Sequence, residues 1–411
     1  MTVLVRQARP EIGIFGLLGV GNLGNDGSLR VVLDEVRARF PDAEPHALCA
    51  GPEAVTAMFG IDAAPLHWSS VEYRTAKDVA TIALKVIGKV VDTVRIAAWV
   101  RRRDVVIVPG MGVLEATLPV RPWAFPYSLF VMCLAARLSG TKVALVSVGS
   151  DVITKRATRW LVTRAARLAH YRSYRDTLSR DAMLRMGVDV STDAVYPDLA
   201  FALPAPPARR GGAGPVGIGV MDFHGGNDER DRSREIFESY LDATKRFVRW
   251  LVDSGRQVRL FTGDRMDDVV VAAILADLAE QRPQMPPSQV TAKPVTTLPE
   301  LMRQMAEVDT VVATRFHNVL CALRLGKPTV SVGYAAKNDS LMAAMGLGEY
   351  CQDARAVDVD RLIEQFRSVE QRRDELTAVL AERNTANAER LERQFAELAA
   401  VLLPKVPQEV R

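Results

Sequence analysis

A chain of 411 residues that is 48% hydrophobic can bury two cores of ordinary domain size. Its 53 Lys and Arg nearly balance 49 Asp and Glu, leaving a net charge of +4. No long basic tract interleaved with aromatics occurs, so nucleic acid is not an expected partner, whereas a small anionic ligand is compatible.

The N-terminal MTVLVRQARPEIGIFG has no basic start, long apolar stretch and small-residue cleavage site in succession, which predicts a cytoplasmic protein. Cys49, Cys133, Cys321 and Cys351 are scattered, with no C-x-x-C pair and no His at metal spacing. They read as reduced, mostly buried thiols, and no metal site is expected.

In chain order, the apolar run IGIFGL predicts a first strand, and SLRVVLDEVRARF a helix behind it. PHALCAG is the next strand. The apolar stretch from Thr81 to Val100 is interrupted by Lys85, Lys89, Asp92 and Arg95 and cannot span a membrane. The segment Lys85–Arg103 has a basic face ending in Arg101, Arg102 and Arg103. Either it rests on an anionic membrane surface at the inner face of the membrane, or it packs its apolar face on the domain, and packing is the expectation. DVVIVPG, a helix over Trp123–Ser139, and KVALVSVG complete the rhythm of an α/β unit with a parallel sheet.

The stretch LPAPPARRGGAGP, Leu203–Pro215, lacks apolar periodicity and reads as a linker. Beyond it PVGIGVMD, RQVRLFTGD, DTVVATR and PTVSVGY are strand candidates with helices between them, followed by a charged helical region from Asp358 to Leu403. The expected division is therefore an N-terminal Rossmann-like domain over 1–203, a linker over 204–215, a C-terminal Rossmann-like domain over 216–357 and a helical segment over 358–411. Two doubly wound parallel sheets facing a cleft bind ligands beyond the carboxyl ends of their strands. The loops to watch are Gly16–Asp26, Pro109–Gly112 and Gly149–Asp151 in the first half. In the second half they are Asp222–Gly226, Thr262–Asp264, Thr314–His317 and Gly333–Lys337.

The loop GLLGVGNLGNDGSL places Gly19, Gly21 and Gly24 at G-x-G-x-x-G spacing between a strand and a helix. A dinucleotide site also wants an acidic residue about twenty positions on, at the end of the second strand. Asp42 and Glu44 precede that strand, and Glu53 comes late. Asp26 would moreover repel a pyrophosphate at the helix start. The residues favour a tight turn over a nicotinamide or flavin site.

TRFHNVLCALRLGKP, Thr314–Pro328, is a sharper constellation: a strand ends, and a helix closed by Gly326 begins. Arg315 and His317 fall in the turn, beside a helix N-terminus that favours anions. An Arg fork can clamp a phosphate or carboxylate, and a His can move a proton near neutral pH. The alternative is a surface Arg and a His that caps the helix.

At these residues the chain resembles the polysaccharide pyruvyl transferase family. Gly21-Asn22-Leu23-Gly24-Asn25-Asp26 is similar to its G-N-x-G-D-E turn, with Asn25 in place of Asp and Asp26 in place of Glu. Pro109–Val113 is similar to its glycine-rich loop, SYRDTLS to its Arg-Asp element, and YPDLAF to its Asp-Pro-like element. TRFHNVLCALRLGKPTVSVGYAAK resembles its R-x-H turn, helix, strand and Tyr-x-x-Lys ending. The resemblance runs to about Tyr350 and implies a GT-B-like fold. It also implies transfer of the pyruvate unit of phosphoenolpyruvate onto two hydroxyls of a sugar in a cell-envelope polysaccharide or glycolipid, free or lipid-linked, with release of phosphate. No cofactor is implied beyond phosphoenolpyruvate as co-substrate.

The resemblance makes Arg175, Arg315 and Lys337 the cations for phosphoenolpyruvate, and His317 with Arg315 the catalytic pair. Asn22, Asp26, Met111, Glu115 and His224 are candidates for the acceptor sugar. Asn22 and Asp26 read equally as turn caps, His224 as a loop residue, and Asp198 and Asp264 as caps. Glu115, Trp123 and Tyr127 form either a sugar platform or helix core. A GT-B nucleotide-sugar glycosyltransferase is the rival, although the helix NVLCALRLG lacks the acidic residue such enzymes use for the ribose. A non-catalytic carbohydrate-binding protein of the same fold is the other alternative.

Overall fold

The computed structural model describes residues 9–68, 79–115, 122–207, 214–226 and 229–402. The chain forms two compact units. The first takes in the chain up to Val20, Ser28–Leu199 and the chain from Leu391; the second takes in Gly21–Gly27 and Ala200–Arg390. Residues 208–213 of the expected linker, and the segments 1–8 and 403–411 of the expected terminal regions, lie outside the described residues.

In the first unit the elements run β1 (Glu11–Gly16), α1 (Leu23–Arg39, whose start to Gly27 belongs to the second unit), β2 (Glu44–Cys49), α2 (Pro52–Phe59), β3 (Asp62–Pro65), α3 (Val79–Val100), β4 (Val105–Pro109), α4 (Phe125–Ser139), β5 (Lys142–Val148), α5 (Arg156–Leu168), β6 (Tyr171–Tyr174), α6 (Thr177–Arg185) and β7 (Ala194–Val195). The seven strands are ordered β3-β2-β1-β4-β5-β6-β7, and every pairing is parallel. Central strands such as VVIVP in β4 are buried along their whole length, as a sheet covered by helices requires.

The second unit runs β8 (Val216–Gly219), α7 (Ser233–Asp253), β9 (Val258–Phe261), α8 (Asp268–Gln281), β10 (Val290–Ala292), α9 (Leu298–Ala306), β11 (Thr310–Ala313), α10 (Phe316–Arg324), β12 (Thr329–Gly333), α11 (Ala336–Ala344), β13 (Cys351–Asp353) and α12 (Val359–Gln371). Its six parallel strands are ordered β10-β9-β8-β11-β12-β13. In both sheets the order reverses beside the first strand, the switch point at which open sheets bind ligands.

The C-terminal region is not a body of its own. Helices α12 and α13 (Arg373–Leu402) carry it, and the second unit keeps it to Arg390 while the rest belongs to the first. There Gln394 donates to the hydroxyls of Ser147 and Ser173 at 2.9 and 2.8 Å, and Leu391, Phe395 and Leu398 are buried. The apolar positions that a charged helix keeps at helical spacing are what the first core absorbs. Among the described residues no helix is long and apolar enough to cross a membrane.

The glycine loop after β1 serves backbone packing. Gly19 has φ +73°, and a Cβ there would stand 2.2 Å from the Gly51 carbonyl oxygen; Gly51 N–H donates to Leu18 O at 2.9 Å. Only residues without a Cβ let the loops after β1 and β2 lie this close.

Candidate functional site

In the second unit the chain leaves β11 at Thr314, whose N–H donates to Gly219 O at 2.9 Å and whose hydroxyl meets Tyr240 Oη at 2.9 Å. Arg315 follows with extended backbone, φ −61° and ψ 131°, and α10 begins at Phe316. His317 and Asn318 thus occupy the first turn of α10. Two glycines make room for that turn. A Cβ on Gly219 would meet Asn318 Nδ2 at 2.8 Å, and one on Gly263 would meet Asn318 Oδ1 at 3.1 Å.

The next strand end joins this one. After β12 the chain turns through Tyr334 and Ala335 into α11, and Asn338 Nδ2 donates to Thr314 O at 3.2 Å. Lys337 Nζ lies 5.4 Å from the Tyr334 ring centre and 5.8 Å from that of Phe316, whose ring packs edge-on to His317 at 5.2 Å. Neither Arg315 nor Ala335 caps its helix with a side chain, in contrast to Asp176 at α6 and Thr297 at α9. Two helix N-termini and two cations beside them form an anion-binding environment.

Asp267, which sequence reasoning passed over, is the hub of the site. Its carboxylate is fully buried and accepts from the backbone N–H groups of Asp222 at 2.9 Å, Gly263 at 3.0 Å and Asp264 at 3.0 Å. It also holds Arg315 on two edges, with Nη2 to Oδ1 at 2.6 Å and Nε to Oδ2 at 2.9 Å. Burial works against the Arg315 charge, but the Asp267 hydrogen bonds outweigh it and hold its pKa above the usual value. The signal for Asp267 was the spacing GDRMD after β9, a capping box in which Asp264 accepts from Met266 N–H and Asp267 reaches back. Asp264 is therefore the cap the sequence suggested.

Within the same unit, Gly24 lies against His317. A Cβ on Gly24 would stand 1.9 Å from Cε1 of the imidazole. Asn22 Oδ1 accepts from Gly24 and Asn25 N–H at 3.1 and 3.2 Å, which makes it the cap of α1, and Asp26 is buried in the first helical turn. His224 stacks on Phe237 at 4.6 Å and hydrogen-bonds Asp222 Oδ1 through Nε2 at 2.9 Å.

The remaining residues lie in the first unit. Arg175, expected among the donor cations, is buried with Glu115 bonded to Nη2, Asp198 at 3.5 Å from Nη1 and Asp176 at 3.7 Å from Nε. Three carboxylates around one guanidinium more than balance its charge, so it is not a bare cation awaiting an anion. Met111, a candidate for the acceptor, has a buried side chain that fills the space over Gly16, where a Cβ would stand 2.1 Å from Cε. Glu115 is set by Arg175 rather than by an aromatic platform, and Trp123 pairs with Tyr127 at 5.9 Å. Among the described residues no group of three or more His, Cys, Asp or Glu could hold a metal ion.

A search of curated proteins returns no match. Among solved structures the chain is similar to UDP-GlcNAc 2-epimerase from Neisseria meningitidis bound to UDP-GlcNAc, at 12% identity and TM-score 0.57 over 95% of this chain and 99% of that one. It is also similar to Anabaena HepE in complex with UDP-glucose, at 11% identity and TM-score 0.59 over 95% and 100%. The lipopolysaccharide outer core galactosyltransferase WaaB matches at 13% and 0.55 over 94% and 99%. These likenesses establish the fold, two parallel-sheet α/β domains of the GT-B type. The family model for polysaccharide pyruvyl transferase matches residues 22–335, a span that includes Gly24, Arg315 and His317. The chain belongs to the polysaccharide pyruvyl transferase family.

Proposed function

We propose that the chain transfers the pyruvyl unit of phosphoenolpyruvate to two hydroxyls of a saccharide acceptor, closing a cyclic ketal and releasing phosphate. The observation that carries the reading is the grouping of Arg315, His317 and Lys337 on consecutive strand ends beside two helix N-termini. A ligand with a phosphate and a carboxylate suits two cations and two sets of N–H groups. With Nε and Nη2 engaged by Asp267, Arg315 presents Nη1 to the donor.

His317 donates a proton to the methylene carbon, leaving C2 cationic. The first hydroxyl adds to C2 and returns its proton to the imidazole. Phosphate departs, the second hydroxyl closes the ketal, and its proton leaves with the phosphate. One proton enters the methyl group and two leave the diol, so the sum is donor plus diol giving ketal plus hydrogen phosphate. As acceptor contacts we propose, in the first unit, Glu115 oriented by Arg175 and, in the second, His224, Asn22 and Asp26. No cofactor is required.

The test is incubation with phosphoenolpyruvate and cell-envelope glycans, with phosphate release and glycan mass followed together. Acceptor-dependent phosphate release with a mass gain of one pyruvate ketal is expected. Turnover of a UDP-sugar without use of phosphoenolpyruvate would overturn the reading.

A further inference from the structure

Helix α3 buries a mixed face and leaves a second apolar face outside. On the inner face Ile96 and Val100 are buried, and between the apolar residues Asp92, fully buried, accepts from Trp68 N–H at 2.8 Å and meets His67 Nδ1 at 3.0 Å and Lys89 Nζ at 3.4 Å. Thr93 Oγ1 meets Tyr127 Oη at 2.8 Å, and Arg95 Nη2 reaches the Pro65 carbonyl at 3.0 Å. The outer side is aliphatic. Val86, Ile87, Val90 and Val94 are 54–63% exposed, and three of them recur every fourth residue on one face. Lys89, Asp92 and Arg95 are engaged on the inner side or flank, so the apolar packing on the domain falls to Ile96 and Val100, while Val86, Ile87, Val90 and Val94 stay outside.

A surface helix in water carries its polar residues outward, and a contiguous exposed apolar stripe marks an interaction face. Arg101 and Arg102, both exposed, close the stripe at its C-terminal end. Trp123, 63% exposed, leans on Tyr127, over whose ring Lys89 Nζ sits at 5.6 Å. We infer that this face of α3 seats on an anionic lipid bilayer, with the aliphatic row at the acyl boundary, Arg101 and Arg102 on headgroup phosphates and Trp123 at the interface. The stripe residues Val86, Ile87, Val90 and Val94 themselves carry no polar group to fix the register of a protein partner, and a fluid surface needs none. The inference goes beyond the transfer reaction and does not depend on it.

Co-sedimentation of the purified chain with vesicles of phosphatidylglycerol and phosphatidylcholine in equal parts tests it. Salt-sensitive binding to these vesicles, and weak binding to phosphatidylcholine alone, is expected. Val90→Asp with Val94→Asp should lower binding about tenfold or more at unchanged melting temperature, since both positions face water. Arg101→Glu with Arg102→Glu should remove the preference for anionic vesicles. Absence of binding to anionic vesicles at low salt overturns the inference, as does equal binding by both double variants. So does a vesicle-free dimer, seen by sedimentation velocity, that the Val90 and Val94 pair dissolves, because the face would then serve a second copy of the chain.

Discussion

The Asp267 carboxylate grips the Arg315 guanidinium on two edges, at 2.6 and 2.9 Å, while accepting three backbone N–H groups from the loops after β8 and β9. One buried acid therefore fixes three strand ends relative to one another. Asp267→Ala would leave a half-buried cation and three N–H donors without their acceptor, and it should cost about 3–5 kcal/mol in urea unfolding. Arg315→Lys keeps the charge but loses the fork. It should fold, and raise the KM for phosphoenolpyruvate roughly tenfold to a hundredfold. An unchanged KM would remove Arg315 from the donor site.

Gly24 and His317 give a second prediction. A helical Gly→Ala change ordinarily stabilises, yet at Gly24 the new methyl would collide with the imidazole 1.9 Å away. Gly24→Ala should displace the ring and lower kcat by roughly a hundredfold, with donor binding retained. Gly21→Ala is the contrast, because nothing lies within 4 Å of that position although its φ is +87°. It should cost about 1–2 kcal/mol of stability and leave turnover near normal.

The proton and the anion grip separate in the next pair. His317→Gln should still show a thermal shift with phosphoenolpyruvate while kcat falls by roughly a hundredfold to ten-thousandfold. Lys337→Ala should lose the shift. Saturation of the wild type at about a hundred times Kd stabilises by roughly 2.7 kcal/mol, which scanning fluorimetry resolves. Normal turnover by His317→Gln would move the acid elsewhere, with Lys337 and His224 next to examine.

Asp92 anchors α3, and its pKa is perturbed. Burial pushes it upward, but hydrogen bonds from His67 and Trp68 N–H and the Lys89 charge outweigh that and hold it below its ordinary 3.8. A depressed carboxylate stabilises the fold above its unfolded value, and the contribution is lost as pH falls below about 3.8 through the folded value. Asp92→Asn should lower stability at pH 7 by about 1–3 kcal/mol and flatten the acid limb of a melting-temperature profile. An unaltered acid limb would show that other carboxylates dominate it.

Much of this was legible in the chain itself. Parallel sheets buried on both faces leave unbroken apolar runs such as VVIVP and TVVAT, so the two α/β units could be read residue by residue. Arg315, His317 and Lys337 sit at the ends of such runs, and residues at consecutive strand ends must lie along one edge of a sheet. What the sequence could not settle were pairings between distant residues and the sense of faces. Asp267 lies 48 positions from Arg315, and Glu115 lies 60 from Arg175, so only folding shows that one cation is steered and the other balanced. Helical periodicity groups Val86, Val90 and Val94 on one side of α3 but does not say whether that side meets core or solvent. That depended on Asp92 finding His67 and Trp68 N–H inside, because a carboxylate with its acceptor sites filled can be buried beside Ile96 and Val100 while Val86, Val90 and Val94 stay outside.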